Sequence, residues 1–298
     1  METKNNFDNN NESENSNERP NLSSGNNFDT GATKRRRTAV IVGASSGIGL
    51  ETARLFAHEN YNVINIARSP APEGIVDCNI LADASVDGSL TDAINQAVDF
   101  GQNKNIDTFV YCAGYSLACP IQHAFEGDYR YLFDVNFFGI VESLKAVIPF
   151  MKEVGGRIVL VSSLAGTIPL VFDSFYCASK AAVDSLAESA DIELRPYGIR
   201  VCAIRPGGVA TNFTFKRKVY EDSEIGEYAR RQHKAVASLA KVEQNGMDAK
   251  RVAQVILDVT NAKNPPVKKV VGFANQAAAA VTKVLPDGIV SFINNVRQ

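Results

Sequence analysis

The chain has 298 residues, 45% of them hydrophobic, and carries 31 lysines and arginines against 33 aspartates and glutamates, a formal net charge of −2. This near-neutral balance argues against nucleic acid or an anionic membrane as a main partner. No apolar run reaches eighteen residues and the N-terminus is polar, so we expect neither a transmembrane span nor a secretory signal.

Cysteines and histidines are few and scattered along the chain. The five cysteines form no CxxC pair, and the three histidines lie far apart. We therefore expect free thiols, a cytoplasmic protein and no metal site.

The N-terminal segment differs in composition from the rest. Residues 1–33 are rich in Asn, Ser, Glu and Asp and predict a disordered tail, because they cannot bury enough apolar surface to offset the loss of chain entropy. The basic cluster 34–37 follows. It is either a localisation or nucleic-acid signal or a solvated approach to the first strand, and we favour the second interpretation. Residues 34–298 are expected to form one domain.

Apolar strands then alternate with helical patterns. Strands are predicted at 39–43, 62–67, 74–78, 107–112, 157–162, 199–205 and 268–271. Helices are predicted at 47–58, 87–101, 126–152, 176–195 and 248–262. This alternation predicts an α/β fold with a doubly wound (Rossmann), parallel, seven-stranded sheet that binds its ligand at the carboxyl ends of the strands.

A glycine-rich loop follows the first predicted strand and opens the first helix. It reads Gly43-Ala44-Ser45-Ser46-Gly47-Ile48-Gly49. Glycines let the backbone approach a pyrophosphate, whose charge a helix N-terminus favours. The alternative is a glycine-rich turn that binds nothing, which its position at the first strand–helix junction makes less attractive.

The second predicted strand indicates which dinucleotide is bound. No acidic residue stands at its end to bind the ribose hydroxyl of NAD, and Arg68 follows it directly. An arginine suits the 2′-phosphate of NADP(H), so we predict NADP(H) rather than NAD(H). A solvated loop arginine is the alternative. We also place Asp77 near the adenine.

Tyr176 and Lys180 lie four residues apart on a predicted helix and therefore share one face. We expect the ammonium to lower the pKa of the phenol, which makes it a usable acid in reduction and base in oxidation. Ser163, after the fifth predicted strand, is expected to hydrogen-bond the substrate oxygen.

With these residues in this order, the chain resembles the classical short-chain dehydrogenases/reductases over about residues 38–272. Further matches are Ala113-Gly114, Asn136, and the segment Pro206, Gly207, Val209 and Thr211. The resemblance implies that Asn136 maintains a proton-relaying water, that Lys180 also holds the nicotinamide ribose, and that the Ala113–Gly114 and 206–211 segments contact the cofactor. It also implies a homodimer or homotetramer formed through helices 126–152 and 176–195. Cys112 replaces the family's usual Asn, which puts local stability in doubt.

The substrate-facing segments are less specific. By the resemblance, residues 212–245 form a mobile lid. Its aromatic residues Phe213, Phe215, Tyr220 and Tyr228, with Tyr115, Leu117, Val171 and Phe172, either line an apolar pocket or pack the lid onto the body. Residues 273–298 form a C-terminal extension that resembles the ends of hydroxysteroid, retinol and acyl-dihydroxyacetone-phosphate members. Its apolar face either covers the pocket, joins an interface or touches a membrane.

The sequence therefore predicts an NADP(H)-dependent oxidoreductase that interconverts a secondary alcohol and a ketone or aldehyde. The preferred substrate is lipophilic, steroid-like or long-chain. A small carbonyl or sugar-like compound is the second possibility, and a non-catalytic NADP-binding regulator is the third.

Overall fold

The computed structural model describes residues 35–101, 104–272 and 275–276. The predicted tail and the apolar face of the C-terminal extension lie outside these residues. No helix within the described ranges has the length and apolar character needed to cross a membrane.

Seven parallel strands form the central sheet, as predicted. They are β1 Thr38–Val42, β2 Asn62–Ala67, β3 Cys78–Leu81, β4 Thr108–Tyr111, β5 Gly156–Val161, β6 Ile199–Arg205 and β7 Lys268–Val270. Their order across the sheet is β7-β6-β5-β4-β1-β2-β3. The chain therefore winds outward from β1 in both directions, and the crevice between the loops after β1 and β4 opens at the carboxyl edge.

Helices cover both faces of this sheet. They are α1 Gly47–His58, α2 Ser89–Phe100, α3 Glu126–Phe133, α4 Gly139–Met151, α5 Ser174–Leu194, α6 Phe213–Lys216, α7 Asp222–Ile225, α8 Ala229–Gln244 and α9 Ala249–Asn261. β1 shows how one strand serves both layers. Val40 and Val42 pack into the cluster that includes α2, α4 and α5, whereas Ala39 and Ile41 pack with α1 and α9. The period-two alternation of a strand produces this division.

Two predicted elements differ from those observed. β3 begins at Cys78, not at residue 74, because Ile75 and Val76 pack against the core from a turn at Gly74. The predicted helix 126–152 is interrupted by one π-helical turn, Asp134–Phe138. There the Tyr111 hydroxyl donates a hydrogen bond to the Val135 carbonyl over 2.7 Å.

Two short parallel pairings involve the segment after β6. Leu117–Ala118 pairs with Lys218–Val219, which attaches the predicted lid segment 212–245 to the loop after β4. Val209–Ala210 pairs with Met247–Asp248, which brings the two ends of the lid segment together, and α6, α7 and α8 lie between these ends.

Candidate active site

The glycine loop forms one wall of a cleft of about 970 Å³ at the carboxyl edge of the sheet. Gly43 has φ of +90°, and a Cβ there would stand 2.8 Å from the Ala113 nitrogen. A Cβ on Gly49 would collide with the Gly43 carbonyl. Both positions therefore require glycine. Gly43 lets the loop turn with a positive φ close to the segment that follows β4, and Gly49 lets the start of α1 lie close to the loop.

The first turn of α1, formed by Gly47, Ile48 and Gly49, lines this cleft. Its N-cap residue, Ser46, makes no side-chain capping bond. Backbone N–H groups at a helix N-terminus favour an anion such as a pyrophosphate. The loop therefore fits a dinucleotide.

Most of the residues predicted to bind the cofactor line the cleft. They are Gly43, Ser45, Ser46, Gly47, Ile48, Gly49, Arg68, Ala113, Gly114, Tyr176, Lys180, Pro206, Gly207, Val209 and Thr211. Arg68 lies just beyond β2, exposed, and donates a hydrogen bond to the Tyr131 hydroxyl over 2.9 Å.

Asp77, which was predicted to lie near the adenine, is not among the residues that line the cleft. Its carboxylate accepts hydrogen bonds from the Val63 backbone nitrogen at 2.8 Å and from Arg36 at 3.1 Å, beside the amino-terminal half of β2. The residues after β3 that do line the cleft are Ala82, Asp83 and Ala84. The error follows from the position of β3: since the strand ends at residue 81, its carboxyl-end loop is 82–84.

Ser163, Tyr176 and Lys180 converge on the same cleft as the glycine loop. Ser163 follows β5 and caps a short 3₁₀ turn, where its Oγ accepts a hydrogen bond from the Ala165 nitrogen at 3.1 Å. Tyr176 and Lys180 lie in the first two turns of α5. The Lys180 Nζ stands 5.7 Å from the centroid of the Tyr176 ring.

The Lys180 ammonium is almost fully buried, with 3% exposure. It donates a hydrogen bond to the Val161 carbonyl over 2.9 Å. Burial lowers the pKa of Lys180 to about 8, against the attraction of Asp184. The side chain is therefore mostly charged at neutral pH and loses that charge under mildly alkaline conditions.

The pKa of the Tyr176 phenol is raised, whereas we expected it to be lowered. Burial raises the pKa of Tyr176, a hydrogen bond with Ser163 acts to lower it, and the charges of Asp173 and Glu243 raise it further. The expectation that the nearby ammonium dominates is wrong for this structure, because desolvation of the phenolate outweighs the other effects.

Asn136 does not line the cleft but lies behind it, fully buried in the π-helical turn. Its Oδ1 accepts a hydrogen bond from the Tyr115 nitrogen at 2.8 Å. Its Nδ2 donates to the Tyr115 carbonyl at 2.8 Å and to the Ser179 hydroxyl at 3.1 Å. It therefore joins the loop after β4 to α5.

Cys112 directly follows β4, at the start of this loop, and lines the cleft. Its backbone nitrogen donates to the Val42 carbonyl over 2.8 Å, so the backbone joins the sheet without help from the side chain. Burial raises the pKa of the Cys112 thiol to about 12, which keeps it neutral.

The predicted aromatic lining is only partly correct. Tyr115 and Phe213 line the cleft. Leu117 and Tyr220 are instead buried in a separate cluster under the lid, and Phe215 is 74% exposed. Aliphatic residues that the sequence did not single out line the cleft as well: Leu164, Ile168, Leu170, Leu239 and Val242.

A buried polar cluster also lines this end of the cleft and was missed by the sequence reasoning. It consists of Asp173, Arg217 and Glu243, with Ser116 and Thr214. Arg217 Nη2 donates to Glu243 over 2.5 Å, and Arg217 Nε donates to the Ser116 hydroxyl over 3.0 Å. None of these residues was singled out in the sequence, because no local pattern links them.

Among the residues that the structure describes, no three His, Cys, Asp or Glu side chains are grouped to hold a metal ion. The cleft instead joins a helix N-terminus that favours anions, a buried phenol, a buried ammonium and a serine hydroxyl. These groups can bind a dinucleotide and exchange a proton with a substrate oxygen.

Comparison with known proteins identifies the family. The sequence model of the short chain dehydrogenase family matches residues 37–224. The chain is 31% identical to the 3-ketodihydrosphingosine reductase of Bacteroides thetaiotaomicron over 85% of this chain and 94% of that protein. It is 31% identical to bovine retinol dehydrogenase 8 over 78% and 80%, and 31% identical to the NADPH-dependent 1-acyldihydroxyacetone phosphate reductase of Saccharomyces cerevisiae over 63% and 66%.

Solved structures have the same fold. A short-chain dehydrogenase from Streptomyces avermitilis superposes with a TM-score of 0.73 at 23% identity, covering 87% of this chain and 96% of that one. The family match covers more than half of the sequence, and the similar proteins and structures agree with it. The chain belongs to the short-chain dehydrogenase family and is an oxidoreductase.

Proposed function

We propose that the protein is an NADP(H)-dependent oxidoreductase that interconverts a secondary alcohol and a ketone or aldehyde. The observation that carries this proposal is the convergence of the glycine loop with Ser163, Tyr176 and Lys180 on one cleft. One wall of the cleft suits a dinucleotide, and the other offers a proton donor and a hydroxyl for a carbonyl oxygen.

In the direction of reduction, the Tyr176 phenol donates a proton to the substrate oxygen. Ser163 donates a hydrogen bond to the same oxygen and holds it in position. The charge on Lys180 stabilises the phenolate that remains, and its bond to the Val161 carbonyl fixes the ammonium in place. NADP(H), when bound, supplies or accepts the hydride.

Arg68 supports the preference for NADP(H). It lies just beyond β2 and lines the cleft, and no acidic residue stands at the end of that strand to bind a ribose hydroxyl. A guanidinium there suits a 2′-phosphate. The yeast relative, 31% identical, carries NADPH in its name.

The substrate in this proposal is amphiphilic. Leu164, Ile168, Leu170, Leu239 and Val242 offer an apolar wall for a lipophilic chain, and the buried polar cluster offers a site for a polar end. The names of the relatives, a 3-ketodihydrosphingosine reductase and a retinol dehydrogenase, agree with a lipophilic compound.

We also propose a homodimer or homotetramer in the cytoplasm. Phe138, between α3 and α4, is 56% exposed, and Ile192 on α5 is 70% exposed. These large apolar side chains lie on the elements through which an interface is expected. All five cysteines are free thiols, as a reducing compartment favours.

The test of the proposed function is NADPH consumption by the purified protein with a panel of long-chain ketones, steroid ketones, retinal and small carbonyl compounds. We expect the highest kcat/KM for one of the lipophilic classes. Turnover confined to small or sugar-like carbonyls would overturn the substrate assignment. An absence of turnover with every compound, despite NADPH binding, would favour a regulator.

A further inference from the structure

Tyr131 lines the cleft but has no part in the proton transfer or in the cofactor contacts proposed so far. It lies on α3, whereas Arg68 lies just beyond β2, 63 residues earlier in the chain. The Arg68 Nη1 donates a hydrogen bond to the Tyr131 hydroxyl over 2.9 Å. The two side chains therefore connect α3 to the segment after β2, in the part of the cleft where the proposed function places the 2′-phosphate.

This bond leaves Arg68 with its charge and most of its donors. It is the only hydrogen bond that the guanidinium makes with the described residues, and its partner is a neutral hydroxyl. A guanidinium has five N–H donors in a fixed plane. With Nη1 bonded to Tyr131, the edge formed by Nε and Nη2 still offers two parallel donors, the arrangement that binds a phosphate through two hydrogen bonds.

Tyr131 is itself held in place. Its ring packs edge-on against the ring of Tyr115, with the centroids 5.0 Å apart and the planes at 84°. The backbone of Tyr115 forms two hydrogen bonds of 2.8 Å with the buried side chain of Asn136. Asn136 also donates to the Ser179 hydroxyl on α5 over 3.1 Å. The Tyr131 ring therefore packs on a loop that the core of the domain holds.

A fixed acceptor matters for an arginine as exposed as Arg68. A long side chain in solvent populates several rotamers and loses that freedom when it binds a ligand. A partner that holds the guanidinium before the cofactor arrives removes part of this loss, because the side chain is already ordered. NADH has a hydroxyl where NADPH has the 2′-phosphate, so the gain applies mainly to NADP(H).

We infer that Tyr131 is a positioning residue for cofactor selection: its hydroxyl holds the Arg68 guanidinium so that the Nε–Nη2 edge binds the 2′-phosphate of NADP(H). Tyr131 acts through Arg68 and needs no contact of its own with the phosphate. This role rests on the proposed function, which assigns Arg68 to NADP(H) but does not name the group that orients it.

The test is calorimetric binding to the Tyr131→Phe variant, which removes the hydroxyl and keeps the ring that packs on Tyr115. We expect the dissociation constant for NADPH to rise about fivefold, as for the loss of one hydrogen bond to a charged group, and that for NADH to stay within about twofold. Adenosine 2′,5′-bisphosphate and adenosine 5′-monophosphate should show the same difference, because they carry only the adenosine end of the two cofactors.

The matched control is Tyr129→Phe, which removes a hydroxyl from the same helix. Tyr129 stacks on Phe175 with the ring centroids 5.0 Å apart and does not line the cleft, so all four dissociation constants should stay within about twofold. The double variant Arg68→Ala, Tyr131→Phe separates positioning from a structural role. It should bind NADPH no more weakly than Arg68→Ala alone, because Tyr131 has no effect once its partner is absent.

Several outcomes would overturn the inference. They are an unchanged NADPH constant in Tyr131→Phe, equal weakening of NADPH and NADH, or a further loss in the double variant. Tighter NADPH binding by Tyr131→Phe would also overturn it, since Tyr131 would then compete with the phosphate for Arg68. If Arg68→Ala alone still weakens NADPH selectively, the proposed cofactor survives each of these results. If Arg68→Ala is unselective, the proposed cofactor preference and the inference both fail. Every measurement is of binding, so the result stands whether or not a ketone is turned over.

Discussion

The Lys180 ammonium on α5 donates a hydrogen bond to the carbonyl of Val161, the last residue of β5, over 2.9 Å. An ammonium has three donors, so this bond leaves two for the cleft. The contact also fixes the helix that carries Tyr176 to the carboxyl edge of the sheet. The positions of the phenol and of the charge that supports it are therefore set by the same bond.

Reduction should slow as the pH rises through about 8. Burial lowers the pKa of Lys180 to about 8, so the side chain loses its charge above that value and no longer stabilises the phenolate. We expect kcat/KM, measured between pH 6 and 10 at saturating NADPH, to fall about tenfold per pH unit above this point. Lys152→Met, at an exposed lysine after α4, should keep the same profile. A wild-type profile that stays flat to pH 10 would contradict the assignment.

Arg68→Ala should weaken NADPH binding about tenfold and leave NADH binding nearly unchanged, because a guanidinium stabilises a 2′-phosphate by charge-assisted hydrogen bonds. Calorimetric dissociation constants for both cofactors check this. Arg54→Ala, on the surface of α1, removes the same charge away from the cleft and should change neither constant. Equal weakening of both cofactors by Arg68→Ala would show that the side chain does not select the phosphate.

Asn136→Ala should destabilise the fold by about 2–4 kcal/mol, because it removes three buried hydrogen bonds to Tyr115 and Ser179. Denaturant unfolding measures the change. The control is Asn261→Ala, at an exposed side chain that bonds only to Arg37 among the described residues, for which we expect a change within about 0.5 kcal/mol. Similar values for the two variants would mean that the buried amide does not hold the loop to α5.

The negative charge on Asp173 should destabilise the folded protein. Burial raises the pKa of Asp173 to about 6, although Arg217 and Ser116 act to lower it. Between pH about 4 and 6 the folded protein therefore binds more protons than the unfolded chain, so wild-type stability falls as the pH rises. Asp173→Asn should gain up to about 3 kcal/mol over the wild type across this window.

Asp191→Asn gives a control of opposite sign. Burial acts to raise the pKa of Asp191, but hydrogen bonds from Arg200 and Arg195 outweigh it, and the pKa is lowered. The wild type therefore gains stability as the pH rises through the titration of this carboxyl group. The Asp191→Asn variant lacks this gain, so its free energy of unfolding should fall further below that of the wild type as the pH rises. Urea unfolding at several pH values tests both variants. A gain for Asp173→Asn that does not change with pH would contradict the titration argument.

The sheet and the proton-transfer residues were predictable from local pattern. Continuous apolar runs marked six of the seven strands, and α1 was predicted over 47–58, its observed extent. Tyr176 and Lys180 share a helix, so their spacing alone brought them together. β3 was misplaced because Ile75 and Val76 read as a strand but pack from a turn, and Asp77 was then assigned to the wrong end of β2.

The buried polar cluster could not be predicted from the sequence, for a different reason. Asp173, Arg217 and Glu243 are 44 and 26 residues apart along the chain and meet only because the lid segment folds back over α5. No periodicity links such positions. The same folding buries Tyr220 and leaves Phe215 exposed, so the composition of the lid did not reveal which aromatic side chains reach the cleft.

The most direct test of the proposed proton transfer is the Tyr176→Phe variant, which removes only the phenolic oxygen. With NADPH and the best ketone of the wild type, we expect kcat to fall about 10³-fold, since general acid catalysis is lost. The dissociation constant for NADPH should stay within about twofold, because the remaining contacts of the cleft are intact. Turnover close to that of the wild type would show that Tyr176 is not the proton donor and would contradict the proposed function.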